Sequence, residues 1–190
     1  MIAIREESYT DIAAREALLD SCFGDERFEK TCERLREGRK PAERLSLVLE
    51  NDGALVGTVR LWRVTAGPDR PALVLGPIAI DCRFRRLGLG ARLMHEAVAR
   101  AKALGHRAVL LVGDAPYYGR FGFTAEKTGG LWLPGPYERG RFLALELVPG
   151  ALEGARGLVS ATGKPEETPD LATLIAATAN DSGLAAGRAA

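Results

Sequence analysis

The chain has 190 residues, 46% of them hydrophobic, and its 26 basic and 25 acidic side chains leave a formal charge of +1. That length supports one well-buried domain rather than two, and the near-neutral balance removes any global attraction to nucleic acid or a membrane surface. The N-terminal MIAIREESYTD meets charge by Arg5, and no apolar run approaches the ~20 residues a membrane span needs, so neither a signal peptide nor a transmembrane helix is read and a cytoplasmic setting is expected.

Cys22, Cys32 and Cys82 are odd in number and carry no Cys-x-x-Cys or Cys/His clustering. They predict reduced thiols, with neither a disulfide framework nor a metal site. His95 and His106 read as structural. Residues 2–6 alternate as a first short strand. Thr10 and Asp11 offer caps for a helix through about Leu19, and Glu26 to Glu37 reads as a second helix. Leu45 to Glu50 and Ala54 to Thr65 are strands joined by Asn51-Asp52-Gly53, whose residues tolerate the left-handed turn a hairpin needs. Alternation along the second of these strands puts Arg60 and Trp62 on one face.

After a turn at Gly67 to Pro71, the central strand runs from Ala72 to Asp81. Gly76-Pro77 interrupts it, and Pro77 has no N–H for a ladder, which predicts a bulge or splay. The turn CRFRRLGLG follows, and then a long helix. Leu93, Met94, Ala97, Val98, Ala101 and Leu104 form its apolar face, Glu96 and Arg100 an i,i+4 pair, and Gly105 its stop. The first amides of a helix lack partners and carry partial positive charge, so this turn, with Arg83, Arg85 and Arg86 beside it, favours a phosphate or pyrophosphate. Gly88 and Gly90 let backbone N–H groups curl around such a guest. Leu93 stands where a dinucleotide fold would need its third glycine, and no Gly-Lys-Ser/Thr occurs, so Rossmann and Walker loops are excluded.

Arg107 to Val112 is a short strand, and Asp114 caps a short helix over Ala115 to Arg120. Phe121 and Phe123 read as core on a following strand. Leu133-Pro134-Gly135-Pro136 makes a rigid loop before a strand from Arg141 to Val148, with Leu143, Leu145 and Leu147 inward. Composition shifts after Pro149-Gly150. The domain is read as 1–150, followed by an Ala/Gly/Thr-rich extension over 151–190 that packs on it or is partly ordered, with a short helix at Asp170 to Ala179.

Two stretches together carry a family resemblance. Arg85-Arg86-Leu87-Gly88-Leu89-Gly90 fits the (Gln/Arg)-x-x-Gly-x-(Gly/Ala) signature of the GCN5-related N-acetyltransferases (GNAT). Tyr117-Tyr118-Gly119-Arg120-Phe121-Gly122-Phe123 resembles their aromatic-Tyr-x-(Arg/Lys)-x-Gly-Phe segment. The likeness covers roughly residues 2–150 and is nearest to the YhbS-like branch, through GDAPYYGRFGF followed by LPGPYERGRFLALEL. It implies an α/β fold with a mixed, mostly antiparallel central sheet splayed at the middle and helices on both faces. It implies acetyl-CoA as acyl donor and direct transfer to an amine without a covalent enzyme intermediate. By position, Ile78, Ala79 and Ile80 would hold the pantetheine arm, and a strand N–H there would polarise the thioester. Arg85, Arg86, Leu87, Gly88, Leu89, Gly90 and Ala91 would cradle the pyrophosphate, and Tyr118 matches the general acid, with Tyr117 as its rival.

Two departures stand out. Leu111 and Asp114 occupy positions where many members have Asn and Ala, and Val74 to Ile80 contains no titratable side chain to act as base. Asp81 reads as a turn residue, and Glu50 and Glu146 have no support. An acyl-CoA-binding sensor or scaffold without turnover therefore stays open, as does a phosphate-binding regulatory domain. Arg60 and Trp62 read either as a packed strand face or as a pocket wall for a carboxylate-bearing or aromatic acceptor; Tyr137, Glu138 and Arg139 are further cleft candidates. The acceptor amine, small molecule or peptide/protein, is not named by the sequence. A homodimer is compatible with it, and no nucleic-acid or membrane partner is expected.

Overall fold

The structure is a computed structural model and is described here for residues 1–166; the helix expected at Asp170 to Ala179 lies outside them. Nine strands build one sheet: β1 Ile2–Glu6, β2 Ser46–Asn51, β3 Ala54–Ala66, β4 Pro71–Leu75, β5 Ala79–Ile80, β6 Ala108–Val112, β7 Leu131–Trp132, β8 Phe142–Glu146 and β9 Gly157–Ala161. Its main path runs β1-β2-β3-β4-β6-β8, with β5 and β9 also on β3 and β7 on β9. Pairing is antiparallel except between β4 and β6 and between β7 and β9. The helices are α1 Ile12–Phe23, α2 Leu89–Ala103 and α3 Ala115–Gly119. None of the described helices is long and apolar enough to cross a membrane.

Strand alternation divides the core in two. One face sets Leu47, Leu49, Val59, Leu61, Leu73, Val109 and Leu143 against Leu93, Met94, Ala97 and Ala101 of α2. The other sets Trp62, Val64, Val74, Leu110 and Phe142 against Leu35, Leu131, Leu133, Leu152 and Val159. Leu93 and Met94 are fully buried, each stabilising the fold by ~1.5–3 kcal/mol. The hairpin between β2 and β3 turns through Asp52 and Gly53, both at positive φ. Glu96 and Arg100 pair as expected, with Nε to Oε1 at 2.6 Å.

The 3₁₀ turn Tyr9–Asp11 that leads into α1 is fixed by a reciprocal capping box between Ser8 and Asp11. Arg5 forks onto the Asp11 carboxylate at 2.7 and 2.9 Å. The helix continues to Phe23, a turn past the expected end at Leu19, because the breaker is Gly24 at φ 62°.

Two expectations fail. Glu26 to Glu37 does not form a helix: 3₁₀ turns at Asp25–Phe28 and Thr31–Leu35 are separated by extended Lys30. Contacts distant in sequence decide this, since the Thr31 hydroxyl donates to the Pro136 carbonyl and Arg34 Nη1 to the Pro134 carbonyl at 2.7 Å. Phe123 is buried, but it lies on no strand: Gly122, at φ 88°, turns the chain and leaves a single bridge between Thr124 and Ala144.

Candidate functional site

The site begins with a miscount between strands. Below, β3 pairs with β4 through Leu61 and Leu75, and the Gly76 N–H donates to the Arg60 carbonyl at 2.9 Å. Above, Thr58 faces Ala79 and Gly57 faces Ile80. Val59 is therefore opposed by two residues, Pro77 and Ile78, which is a β-bulge. The Asp81 N–H donates to the Val56 carbonyl at 2.9 Å, so the two-residue rhythm of an antiparallel ladder makes Thr58 and Ala79 the next bonded pair. Of the three residues expected to offer free peptide groups, Ala79 is thus turned toward β3. By the same rhythm Ile80 falls in a non-bonded pair with Gly57, and the Ile78 N–H, in the bulge, has no backbone partner among the described residues.

Beside them is a gap. Parallel β4 and β6 are in register only across Leu73–Val109 and Val74–Leu110, and beyond these pairs the strands part. The cleft between them, about 610 Å³, is walled by Leu75 to Ile78 on one side and by Leu111 to Asp114, Tyr117 and Tyr118 on the other. Phe23 at the end of α1 lines it too, with Arg27, Thr31, Cys32 and Arg36 from the irregular 24–39 segment and Tyr137 and Glu138. Arg139 does not; its guanidinium is spent on the carbonyls of Thr128, Gly129 and Leu131.

Next to Tyr117, on the cleft wall, lies the glycine turn. Gly88, at φ 72°, is the N-cap of α2, and Arg92 N–H is the first to close onto it, at 3.0 Å. The preceding amides are left without a helical partner. Arg83 is paired with Asp81 at 2.7 Å, whereas Arg85 and Arg86 are exposed and make no ion pair among the described residues. A Cβ on Gly90 would lie 3.4 Å from the Tyr117 hydroxyl and 3.6 Å from Ile80. The turn, the bulge and α3 thus meet at one point.

Tyr118 sits at the inner end of the cleft, its ring edge-on to those of Tyr117 and Phe123. Its hydroxyl bonds to nothing among the described residues, and burial pushes its pKa up to about 12. Asp114 caps α3 through the Tyr117 N–H at 3.2 Å. A Cβ on Gly113 would collide with the Tyr118 ring, and one on Gly76 with Trp62. Both glycines are demanded by close approach, a signal invisible before the fold is known.

The carboxylates considered as bases are elsewhere engaged. Asp81 accepts from the Arg83 side chain and N–H, which hold its pKa down at about 2. Glu146 is lowered first by the Leu152 N–H and also pairs with Lys127, and Glu50 binds Arg5. The 24–39 segment is what sequence reasoning missed. Two of its arginines, Arg27 and Arg36, line the cleft, and their spacing carries no local motif.

A bulged, parted sheet with the unpartnered amides of a helix N-terminus beside it has room and donors for a long, phosphate-tailed ligand. The acetyltransferase (GNAT) family profile matches residues 7–123, and the chain belongs to that family. It is 32% identical over 158 residues to the uncharacterized N-acetyltransferase YhbS of Escherichia coli (strain K12), spanning 82% of this chain and 93% of that one. The crystal structure of E. coli YhbS in complex with CoA superposes with a TM-score of 0.73 at 31% identity, over 85% of this chain and 89% of that one. A Brucella melitensis GNAT acetyltransferase solved with acetyl-CoA gives a TM-score of 0.64 at 25% identity, over 85% and 96%.

Proposed function

We propose that this chain transfers the acetyl group of acetyl-CoA directly to an amine. The observation that carries the reading is the gap beside the Pro77–Ile78 bulge, walled on its far side by Tyr117 and Tyr118, with the start of α2 close by: a Cβ on Gly90 would lie 3.4 Å from the Tyr117 hydroxyl. The turn from Arg85 to Ala91 would take the pyrophosphate, and the pantetheine arm would lie along Ile78 to Ile80. An N–H there suits the thioester oxygen, which gains negative charge as the amine nitrogen attacks.

The chemistry balances without a covalent enzyme. A C–N bond forms, the C–S bond breaks, and the proton lost from the amine offsets the one the CoA thiolate must gain. With Tyr118 at about 12 and a thiol near ~8.5, complete transfer from the phenol is uphill by ~5 kcal/mol. Tyr118 therefore serves as a permanently protonated hydrogen-bond donor to the departing sulfur. Pro71 to Ile80 holds no titratable side chain, so the amine loses its proton through water. That same absence favours the second reading, a sensor that binds acyl-CoA without turning it over. The reading places the chain with the cytoplasmic pool of acetyl-CoA.

Calorimetric titration with acetyl-CoA, followed by thiol release across a panel of amines, separates the two. Binding with turnover supports the transferase and binding without turnover the sensor. No binding overturns both.

A further inference from the structure

We infer that the acceptor is an amine that also carries a carboxylate, of amino-acid to dipeptide size, gripped through that carboxylate by Arg60 and Thr58 in a second cavity. The inference rests on the acetyl-transfer reading above and names its substrate class. The cavity, about 350 Å³, lies between α1, the 24–39 segment and the even-numbered face of β3. It meets the cleft at Arg27, Arg36 and Pro77, which line both. Its volume is at the small end for ligand pockets.

Two unspent groups mark it. Thr58 is 1% exposed, lines the cavity, and its hydroxyl has no hydrogen-bond partner; a buried hydroxyl left so is costly unless a ligand answers it. Arg60 is largely withdrawn from water and lies over Trp62 at 5.2 Å. Its Nε makes one long contact to the Ser46 hydroxyl and one to Glu7, both 3.5 Å, and no bond among the described residues uses its terminal nitrogens.

The cavity lining carries Arg27, Arg36, Arg39 and Arg60 beside Glu16, Glu33, Glu37 and Glu166, so the case for an anionic guest lies in which of these are paired. Arg27 is matched by Glu16 and Asp20, and Arg36 by Glu33. Arg15 takes Glu7 Oε1 and shares Glu16; Arg60 Nε stands 3.5 Å from Glu7 Oε2, a buried oxygen with no hydrogen-bond partner, and Glu37 and Glu166 also line the cavity. A guanidinium fork with both ends free fits a planar carboxylate. Thr58 and Arg60 flank Val59, the residue opposite the bulge, and adjacent strands are only ~4.8 Å apart. A carboxylate held there leaves an amine a few bonds away facing the gap at Ile78.

The test pairs amino acids and dipeptides with their C-terminal amides as acceptors in the thiol-release assay. Acids should exceed amides in kcat/KM by ~10-fold or more, mainly through KM, as loss of a charge-assisted hydrogen bond predicts. Arg60→Met should bring the ratio to about one and Thr58→Val, nearly isosteric, should lower it by ~3–10-fold, with acetyl-CoA affinity retained in both. Amides used as well as acids by the wild type, or a ratio that survives both substitutions, would overturn the inference. If Arg60→Met does not fold, Thr58→Val alone decides. Loss of acetyl-CoA binding in the wild type is a different failure, that of the acetyl-transfer reading beneath.

Discussion

Tyr118 shows what one side chain's surroundings decide. Because burial raises its pKa to about 12, the protonated, donating form is full at every pH where amines are free, and its contribution is lost only as pH rises through that value. The rate should therefore climb with pH as the amine deprotonates, with no falling limb below about pH 11. Tyr118→Phe should slow turnover by ~100-fold and leave the acetyl-CoA dissociation constant within about 2-fold, since the phenol meets the leaving sulfur rather than the nucleotide. Equal turnover in stopped assays would remove Tyr118 from the mechanism.

At the scale of elements, the two helix starts divide function from stability. Bulky replacement of both Gly88 and Gly90 should abolish acetyl-CoA binding by calorimetry while far-UV circular dichroism stays native, because an added Cβ on Gly88 meets open space and one on half-buried Gly90 meets neighbours no nearer than 3.4 Å. Asp11, at the other start, is structural. The Arg5 guanidinium, with help from Ser8, holds its carboxyl well below the usual range. A depressed folded pKa gives stability that is complete above the unfolded value of ~3.9 and fades as pH falls through the folded one. Urea unfolding should thus weaken below about pH 4, and Asp11→Ala should cost ~1–2 kcal/mol at neutral pH and flatten that acid limb.

These starts were legible because their signals are local: a cap, a glycine, a run of apolar residues at helical spacing. The bulge at Gly76-Pro77 was legible for the same reason, since a missing N–H acts where it stands. The 24–39 segment was not, because its conformation is set by the carbonyls of Pro134 and Pro136 a hundred residues away. Arg60 and Trp62 could be put on one face, but the charges around them come from Glu7, Arg15 and Glu33 on other elements, which spacing along one strand does not reveal.

For the molecule as a whole, β3 is the spine. Its 13 residues pair with β2, β4, β5 and β9, so the strands on either side of the bulge are held by one continuous segment. The residues after Gly150 belong to this framework: Ala151 and Leu152 are 5% exposed, Val159 is fully buried, and β9 extends β3 at Val64 to Ala66. Ending the chain at Gly150 should remove ~5 kcal/mol of apolar burial, a large share of a stability of ~5–15 kcal/mol. Scanning calorimetry should find the midpoint more than about 10 °C lower, or no cooperative transition at all.

The parted strands also have a kinetic signature. Amides in the middle of a sheet normally exchange with solvent deuterium last, because they open only when the whole sheet does. The N–H groups of Ile78 and Ile80 lie beside β3, within the sheet, without a strand on their far side, so they should exchange among the first. A slow-exchanging sheet with a fast pair at its centre would be the mark of the empty protein. A ligand that fills the gap should turn those two amides into slow ones while leaving their neighbours as they were.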